Sequence, residues 1–319
     1  MYFIAQNILL IIVLLMFVTF ILAKTHHNES SRILSSIIIL LNMSVILLFV
    51  FNGIIIAFLT IIGYLVYIVI VGRRKYYDLR VRTKYIESTS IKNNFRALYV
   101  SDFQFDQGSK KFNHKAMRQV VDKIKDQEYD ILFYGGDYVN YVENIDVFFN
   151  YLKEIQNPKM GTYAVLGNHD YIDYDRVVNE LKKLNINVVE NSKVDLPGNI
   201  TIAGVEDEWY GNPTLVELNE QNLNILLTHN PDFIKKLGPD NLVDFALAGH
   251  YHAGQVNLLG IPVQRLISKY VYGFYNDYST KLYVSSGVGG AVFRNIFTIQ
   301  MRYFAQPELV EIVFISKEN

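Results

Sequence analysis

Five short apolar runs in this 319-residue chain end in Asp, Asn or His. "ALYVS" runs into Asp102, with Gln104 two residues on, and "DILFYGG" runs into Asp137. "TYAVLG" leads to Asn168, His169 and Asp170, "LNILLT" to His229 and Asn230, and "VDFALAG" to His250, Tyr251 and His252. Residues two apart on an extended strand point the same way, and open α/β sheets bind ligands beyond the carboxyl ends of their strands. Gly136, Gly167 and Gly249 each stand immediately before the polar group, where glycine permits an unusual turn and a close backbone approach. Three histidines, two aspartates and an asparagine, in a chain with no cysteine, suit Mn²⁺, Fe²⁺ or Zn²⁺. That is more ligands than one ion needs. Two ions sharing a bridging carboxylate would use them all, and such a pair, about 3.5–4 Å apart, clamps a phosphate and activates water for in-line attack. Taken singly the clusters are weaker. "GD" alone is a turn, and "THNPD" reads as an N-capped helix start with Asn230 or Asp232 near the cap. The chemistry rests on their joint occurrence.

The elements that must position these residues alternate between strand and helix. Period-two or short apolar runs predict strands at 76–87, 97–101, 130–135, 162–167, 187–189, 200–205, 223–228, 243–247, 281–285 and 308–314. Helical spacing predicts helices at 114–126, 144–155 and 174–185. The pattern is α/β, with enough strands for two packed sheets. A net charge of −1 carries no footprint of nucleic acid.

The first 72 residues differ. Of 30 Lys+Arg and 31 Asp+Glu in the chain, they hold only Lys24, Glu29 and Arg32. Tyr2 to Ala23 is long enough to cross a bilayer, lacks a basic leading region and a small-residue cleavage site, and is followed by more apolar sequence. Residues 33–72 carry no charge and as one helix would extend about 60 Å, twice the hydrocarbon thickness. "FNG" at 51–53 offers a turn between two helices, near 33–51 and 54–72. The expectation is a membrane segment over 1–72 with three spans, a juxtamembrane strand or linker over 73–94, and a catalytic domain over 95–319. The alternative is a hairpin with the first segment lying in the interface. Arg73, Arg74, Lys75, Arg80 and Arg82 follow the last span and place the soluble domain on the cytoplasmic side of a bacterial-type membrane. His26 and His27, in a polar loop without carboxylate neighbours, read as solvated.

"SDFQ", "GGDYVN", "GNHD", "THNPD" and "GHYHAGQ" stand in the order and approximate spacing of the calcineurin-like metallophosphoesterases, which residues 90–319 resemble. "GHYHAGQ" and the ending "RYFAQPELVEIVF" look like that family's bacterial membrane-associated subgroup. The resemblance implies a four-layer α/β/β/α sandwich with a dinuclear metal centre at the strand ends. By motif, Asp137 would be the bridging carboxylate. Asp102 and His252, with whatever position 104 supplies, would hold one ion, and Asn168, His229 and His250 the other. His169 would be catalytic without being a ligand, facing the phosphate or protonating the leaving oxygen. Asp170 would orient its ring or cap the loop locally. A metal-bound hydroxide would be the nucleophile.

Two positions depart from the pattern. Asn140 stands where Asp is usual, at a position that supports the loop. Gln104 stands where His is usual, and a neutral amide is a weaker ligand that favours harder ions, Mn²⁺ or Mg²⁺. Gln104 is therefore either a ligand or a partner of the ligands. Mn²⁺ is the expected ion, with Fe, Zn and Mg as alternatives. The expected partners are the lipid bilayer and, from location beside it, a phosphorylated, lipid-linked substrate; the subgroup it resembles includes enzymes acting on phospholipid-like or UDP-diacylglucosamine pyrophosphate substrates. Monoester, diester and pyrophosphate all fit. The competing reading is a non-catalytic, membrane-anchored binding protein with a degenerate site. "EDEWYGNPTL", holding the only tryptophan, Trp209, is either a loop near the site or a packed surface loop. The aromatic and basic segment 265–277 either borders a cleft or the membrane, or packs in the ordinary way.

Overall fold

The computed structural model describes residues 37–38, 40–41, 43–44, 54–106, 110–257, 260–290 and 301–317. The expected span over 2–23, most of that over 33–51, the "FNG" turn, and His26 and His27 lie outside the described residues. The chain divides into two units, Met1–Ile70 and Val71–Asn319.

The helix α1 (Ile54–Tyr76) closes on Arg73, Arg74 and Lys75, cations that complement the negative end of the helix dipole. Phe58, Leu59, Ile61, Leu65 and Val66 on it are exposed. Among the described residues no helix is long and apolar enough to cross a membrane.

The second unit contains two six-stranded sheets. Its elements are β1 (Arg80–Ser88), β2 (Phe95–Val100), α2 (Lys110–Lys125), β3 (Ile131–Tyr134), α3 (Ile145–Leu152), β4 (Thr162–Ala164), α4 (Tyr174–Lys183), β5 (Ile186–Val188), β6 (Ser192–Leu196), β7 (Ile200–Gly204), β8 (Leu223–Leu227), β9 (Phe245–Ala248), β10 (Gly273–Asp277), β11 (Thr280–Val284) and β12 (Glu308–Ser316). The first sheet runs β1-β12-β2-β3-β4-β5 and the second β10-β11-β9-β8-β7-β6. In the first, β2 to β5 are parallel, as α2, α3 and α4 between them require. In the second, β7, β8, β9 and β11 are parallel, with β6 and β10 as antiparallel edges. Each strand that leads into a predicted polar cluster is thus an inner strand of its sheet, with at least one parallel neighbour.

Both faces of these strands are buried, which is why they read as continuous apolar runs. Tyr99, Ile131 and Phe133 from the first sheet meet Ile202, Ile225, Leu227 and Phe245 from the second. The other face of the first sheet packs Leu98, Val100 and Leu132 against Val121 and Ile124 of α2 and Phe148 and Phe149 of α3. Resemblance implied helices over the second sheet as well. Among the described residues its outer face is covered instead by a 3₁₀ turn, Pro231–Lys236, and by Tyr270, with Phe233, Ile234 and Leu237 packed on Leu226 and Ala246. Gly238 and Pro239 end that turn too soon for a helix.

Two strands escape sequence reasoning, β6 and β10. They are the two edges of the second sheet, and each alternates between half-buried and exposed residues. Their apolar pattern is correspondingly thin.

Candidate metal centre

The polar residues after β2, β3, β4, β8 and β9 converge on one cleft. Asp102, Asp137 and His229 are buried and offer ligand atoms that all lie within 4.8 Å of one another. The turns that deliver them are unusual. Asp102, Gln104, Asp137, His250 and His252 all have positive φ, a conformation rare outside glycine, and one that clusters where structure serves a site. A Cβ on Gly249 would overlap Asp102 Oδ2, and one on Gly167 would overlap Asp137 Oδ1. Glycine is needed at both for the loops to close on the carboxylates.

The expected ligands fall into two neighbouring groups. In one, His250 Nδ1 lies 3.0 Å from Asn168 Oδ1 and 3.3 Å from His229 Nε2, and His229 Nε2 lies 3.3 Å from Asp137 Oδ2. The other ring nitrogen of His229, Nδ1, is 2.7 Å from the carbonyl of Gly135. A carbonyl only accepts, so Nδ1 carries hydrogen and Nε2 is left for an ion, the arrangement usual for metal-bound histidine. In the second set, His252 Nε2 lies 3.8 Å from Asp102 Oδ1, and Ser101 Oγ and the His250 N–H both donate to Asp102. Gln104 donates from Nε2 to Asp137 Oδ2 at 2.9 Å, and its Oε1 is buried without a partner. Gln104 is therefore beside the centre, with one donor atom to spare. This donor set and that unpartnered oxygen fit divalent metal.

The electrostatics fit too. Burial lowers the His229 pKa, but Asp137, Asp102 and Asp207 outweigh it and push it up to about 10. Burial raises Asp137, yet the neighbouring His229 holds its carboxyl well below the usual range. Burial, with His229 beside it, pushes His250 down to about 3. A proton on His229 thus balances the carboxylates, a role a divalent cation held there would take over.

The remaining predicted residues fall as follows. His169 lines the cleft, and its backbone N–H donates to Asp137 Oδ1. Asp170 does not orient the His169 ring. It is buried and accepts the backbone N–H groups of Asp137, Tyr138 and Gly167, tying the loop after β3 to the loop after β4. Asn140 supports its loop, donating to the Gln104 carbonyl. Asn230 caps the turn Pro231–Lys236, so "THNPD" both starts a helical turn and supplies His229.

Arg302 was missed. It is fully buried and donates to the carbonyls of Gly289, His252 and Ser286. Its Nη2 lies 3.2 Å from His252 Nδ1. A guanidinium only donates, so Nδ1 accepts and neutral His252 carries its hydrogen on Nε2. Burial, then Arg302, holds His252 well below the usual histidine range. Arg302 opens the ending "RYFAQPELVEIVF", but nothing in that run points to contact with His252. Trp209 proves to be at the site, its ring 4.4 Å from that of His250, held by the turn whose N–H groups Asp207 Oδ1 accepts. The cleft holds about 420 Å³, and Trp209, Tyr251, Val256, Ile267 and Met301 give it an apolar wall.

A family model described as calcineurin-like phosphoesterase matches residues 95–254. An uncharacterized metallophosphoesterase of Helicobacter pylori (strain ATCC 700392 / 26695) is 31% identical over 213 residues, 63% of this chain and 55% of that relative. The chain therefore spans about half that relative's length. The uncharacterized metallophosphoesterase YkoQ of Bacillus subtilis (strain 168) is 25% identical over 66% of this chain and 84% of its own. Phosphodiesterase YaeI of Escherichia coli (strain K12) is 31% identical over 202 residues, 59% of this chain and 72% of its own.

Proposed function

Because this chain belongs to the calcineurin-like phosphoesterase family, we propose that it is a membrane-anchored, metal-dependent hydrolase of a phosphate ester or pyrophosphate. The observation that carries the reading is the convergence of Asp102, Asp137 and His229 within 4.8 Å at the ends of strands from two sheets. Asp102, Asp137, Asn168, His229, His250 and His252 would hold two divalent ions, Mn²⁺ first among the candidates, with Gln104 as a further ligand or a partner of Asp137. Ions held there supply positive charge to the phosphoryl oxygens and lower the pKa of water. The chain's own residues do the rest. His169, on the cleft wall beside the ligands, passes a proton from its ring to the leaving oxygen. Trp209 and Ile267 pack the organic part of the substrate and exclude water.

Anchoring is supported by the near absence of charge over residues 1–72 and by the cations that close α1. Those cations also support a cytoplasmic catalytic domain. The apolar cleft wall and the bilayer location together favour a lipid-linked substrate, within the membrane-associated subgroup. One observation favours a second reading, a binding protein with a degenerate site: the His252 side offers Gln104 instead of His and faces Arg302.

The test is hydrolysis of bis-p-nitrophenyl phosphate by the purified full chain with added Mn²⁺. Asp137→Asn and His169→Ala should each abolish it. Absence of both bound ion and turnover sinks the enzyme reading. A reporter fused to the C-terminus that signals from outside the cell sinks the orientation.

A further inference from the structure

The 3₁₀ turn Val263–Leu266 contains no buried residue. Around it Ile261 is 64%, Val263 60%, Leu266 86% and Ile267 72% exposed. Four aliphatic side chains within seven residues face water. The segment is nonetheless firmly seated. Pro262 packs against Gly254, where a Cβ would come 2.7 Å from Pro262 Cβ, in the loop that follows His250 and His252. On the other side Ser268 Oγ donates to Asp232 at 2.5 Å and accepts the N–H of buried Tyr270. The fold fixes the base of the turn and holds its apolar tip out.

That tip is a lip of the cleft, since Gln264 and Ile267 line it together with His250 and His252. Trp209 on the same cleft and Tyr210 beside it are also exposed. Isolated exposed apolar residues need no explanation, but a contiguous group marks an interaction surface. Exposed Arg265 and Lys269 flank the tip, Lys269 in an exposed pair with Asp277 at 3.4 Å, and Asp232 at its base is paired with Lys235. Across the cleft, Glu208 is paired with Lys236. Aliphatic tips between exposed cations, with tryptophan and tyrosine nearby, match the boundary between headgroups and acyl chains of an anionic bilayer.

We propose that the Ile261–Ile267 lip inserts into the surface of a bilayer containing anionic lipid, presenting the metal centre to that surface. The inference rests on the reading of this cleft as a phosphoesterase site at a membrane. It adds a second attachment, made by the catalytic unit itself and independent of the apolar N-terminal segment.

The test uses the full chain reconstituted in phosphatidylcholine–phosphatidylglycerol vesicles. Trp209 is kept, Leu266→Trp adds a second tryptophan, and the parent chain, with Trp209 alone, gives the background to subtract from the signal of position 266. Phosphatidylcholine brominated near the glycerol end of the acyl chain should quench its emission. Adding Ile261→Asp and Val263→Asp should remove the quenching, as should replacing the anionic lipid and raising the salt, while hydrolysis of soluble bis-p-nitrophenyl phosphate continues. Absence of quenching with hydrolysis intact overturns the lip and leaves the phosphoesterase reading standing. So does quenching that the two aspartates leave unchanged. A tip that is shielded from bromolipid because a protein or a second copy covers it counts against the proposal in the same way. Quenching without any hydrolysis sinks the enzyme reading and leaves the lip as an attachment surface.

Discussion

Gln104 Nε2 donates to Oδ2 of Asp137 at 2.9 Å, so the residue that departs from the family pattern touches the carboxylate best placed to bridge two ions. Gln104→His replaces an amide by a better ligand at that contact. Such a change should tighten binding of the weaker ion by about tenfold and move preference from Mn²⁺ toward Zn²⁺. Competitive titration of the two metals against a chelating dye would measure it. Unchanged affinity and preference would show that position 104 does not address the ions.

Asp170 takes three backbone N–H bonds from two loops. Asp170→Asn keeps the shape but turns an NH₂ toward an N–H that now has an acceptor. The loss should be about 2 kcal/mol, the range for leaving a buried donor without its acceptor, read by urea unfolding. Metal affinity should fall with it, because the backbone of Asp137 is one of the groups held. A variant as stable as the parent would remove Asp170 from this role.

Arg302 satisfies the carbonyls of Gly289, His252 and Ser286 inside the protein. Arg302→Met leaves them without donors, at a cost of about 3 kcal/mol. The same change frees His252 Nδ1 from a donor, so any variant that still folds should bind the His252-side ion more tightly. Equal or weaker ion binding in the folded variant would contradict the tautomer assigned to His252.

His229, pushed up to about 10, is protonated in the ion-free protein at neutral pH. Its Nε2 must lose that proton to hold an ion, so filling the site that His229 serves should release about one proton, and binding there should strengthen as pH rises from 6 to 9. The sign follows from the direction of the shift: a raised pKa in the free protein means that acid competes with metal. Calorimetry in buffers of different ionisation enthalpy would count the protons. A pH-independent affinity would contradict this coupling.

Much of this is written in the sequence because β2, β3, β4, β8 and β9 are inner strands. Burial on both faces gives each a continuous apolar run, and each run stops where its ligand begins. The edge strands β6 and β10 give no such run and go unseen. Trp209 was legible only as one of two options, since a turn held by Asp207 looks the same in sequence whether it packs on His250 or on the surface. Arg302 was illegible. Its partners are backbone carbonyls of residues distant in the chain, and carbonyls carry no sequence signal. The reading of Asp170 was half right, as a cap rather than an orienter, because Asp three residues after Gly167 serves either role.

The central claim is that these five strand ends build a metal-dependent phosphoesterase. The most direct measurement is metal content and diester hydrolysis on the same preparations of the full chain and of Asp137→Asn. The account predicts bound divalent metal and Mn²⁺-dependent hydrolysis in the parent chain, with both lost in the variant. A parent chain that binds no ion and turns over no diester, or an Asp137→Asn variant that hydrolyses at the parent's rate, would contradict it.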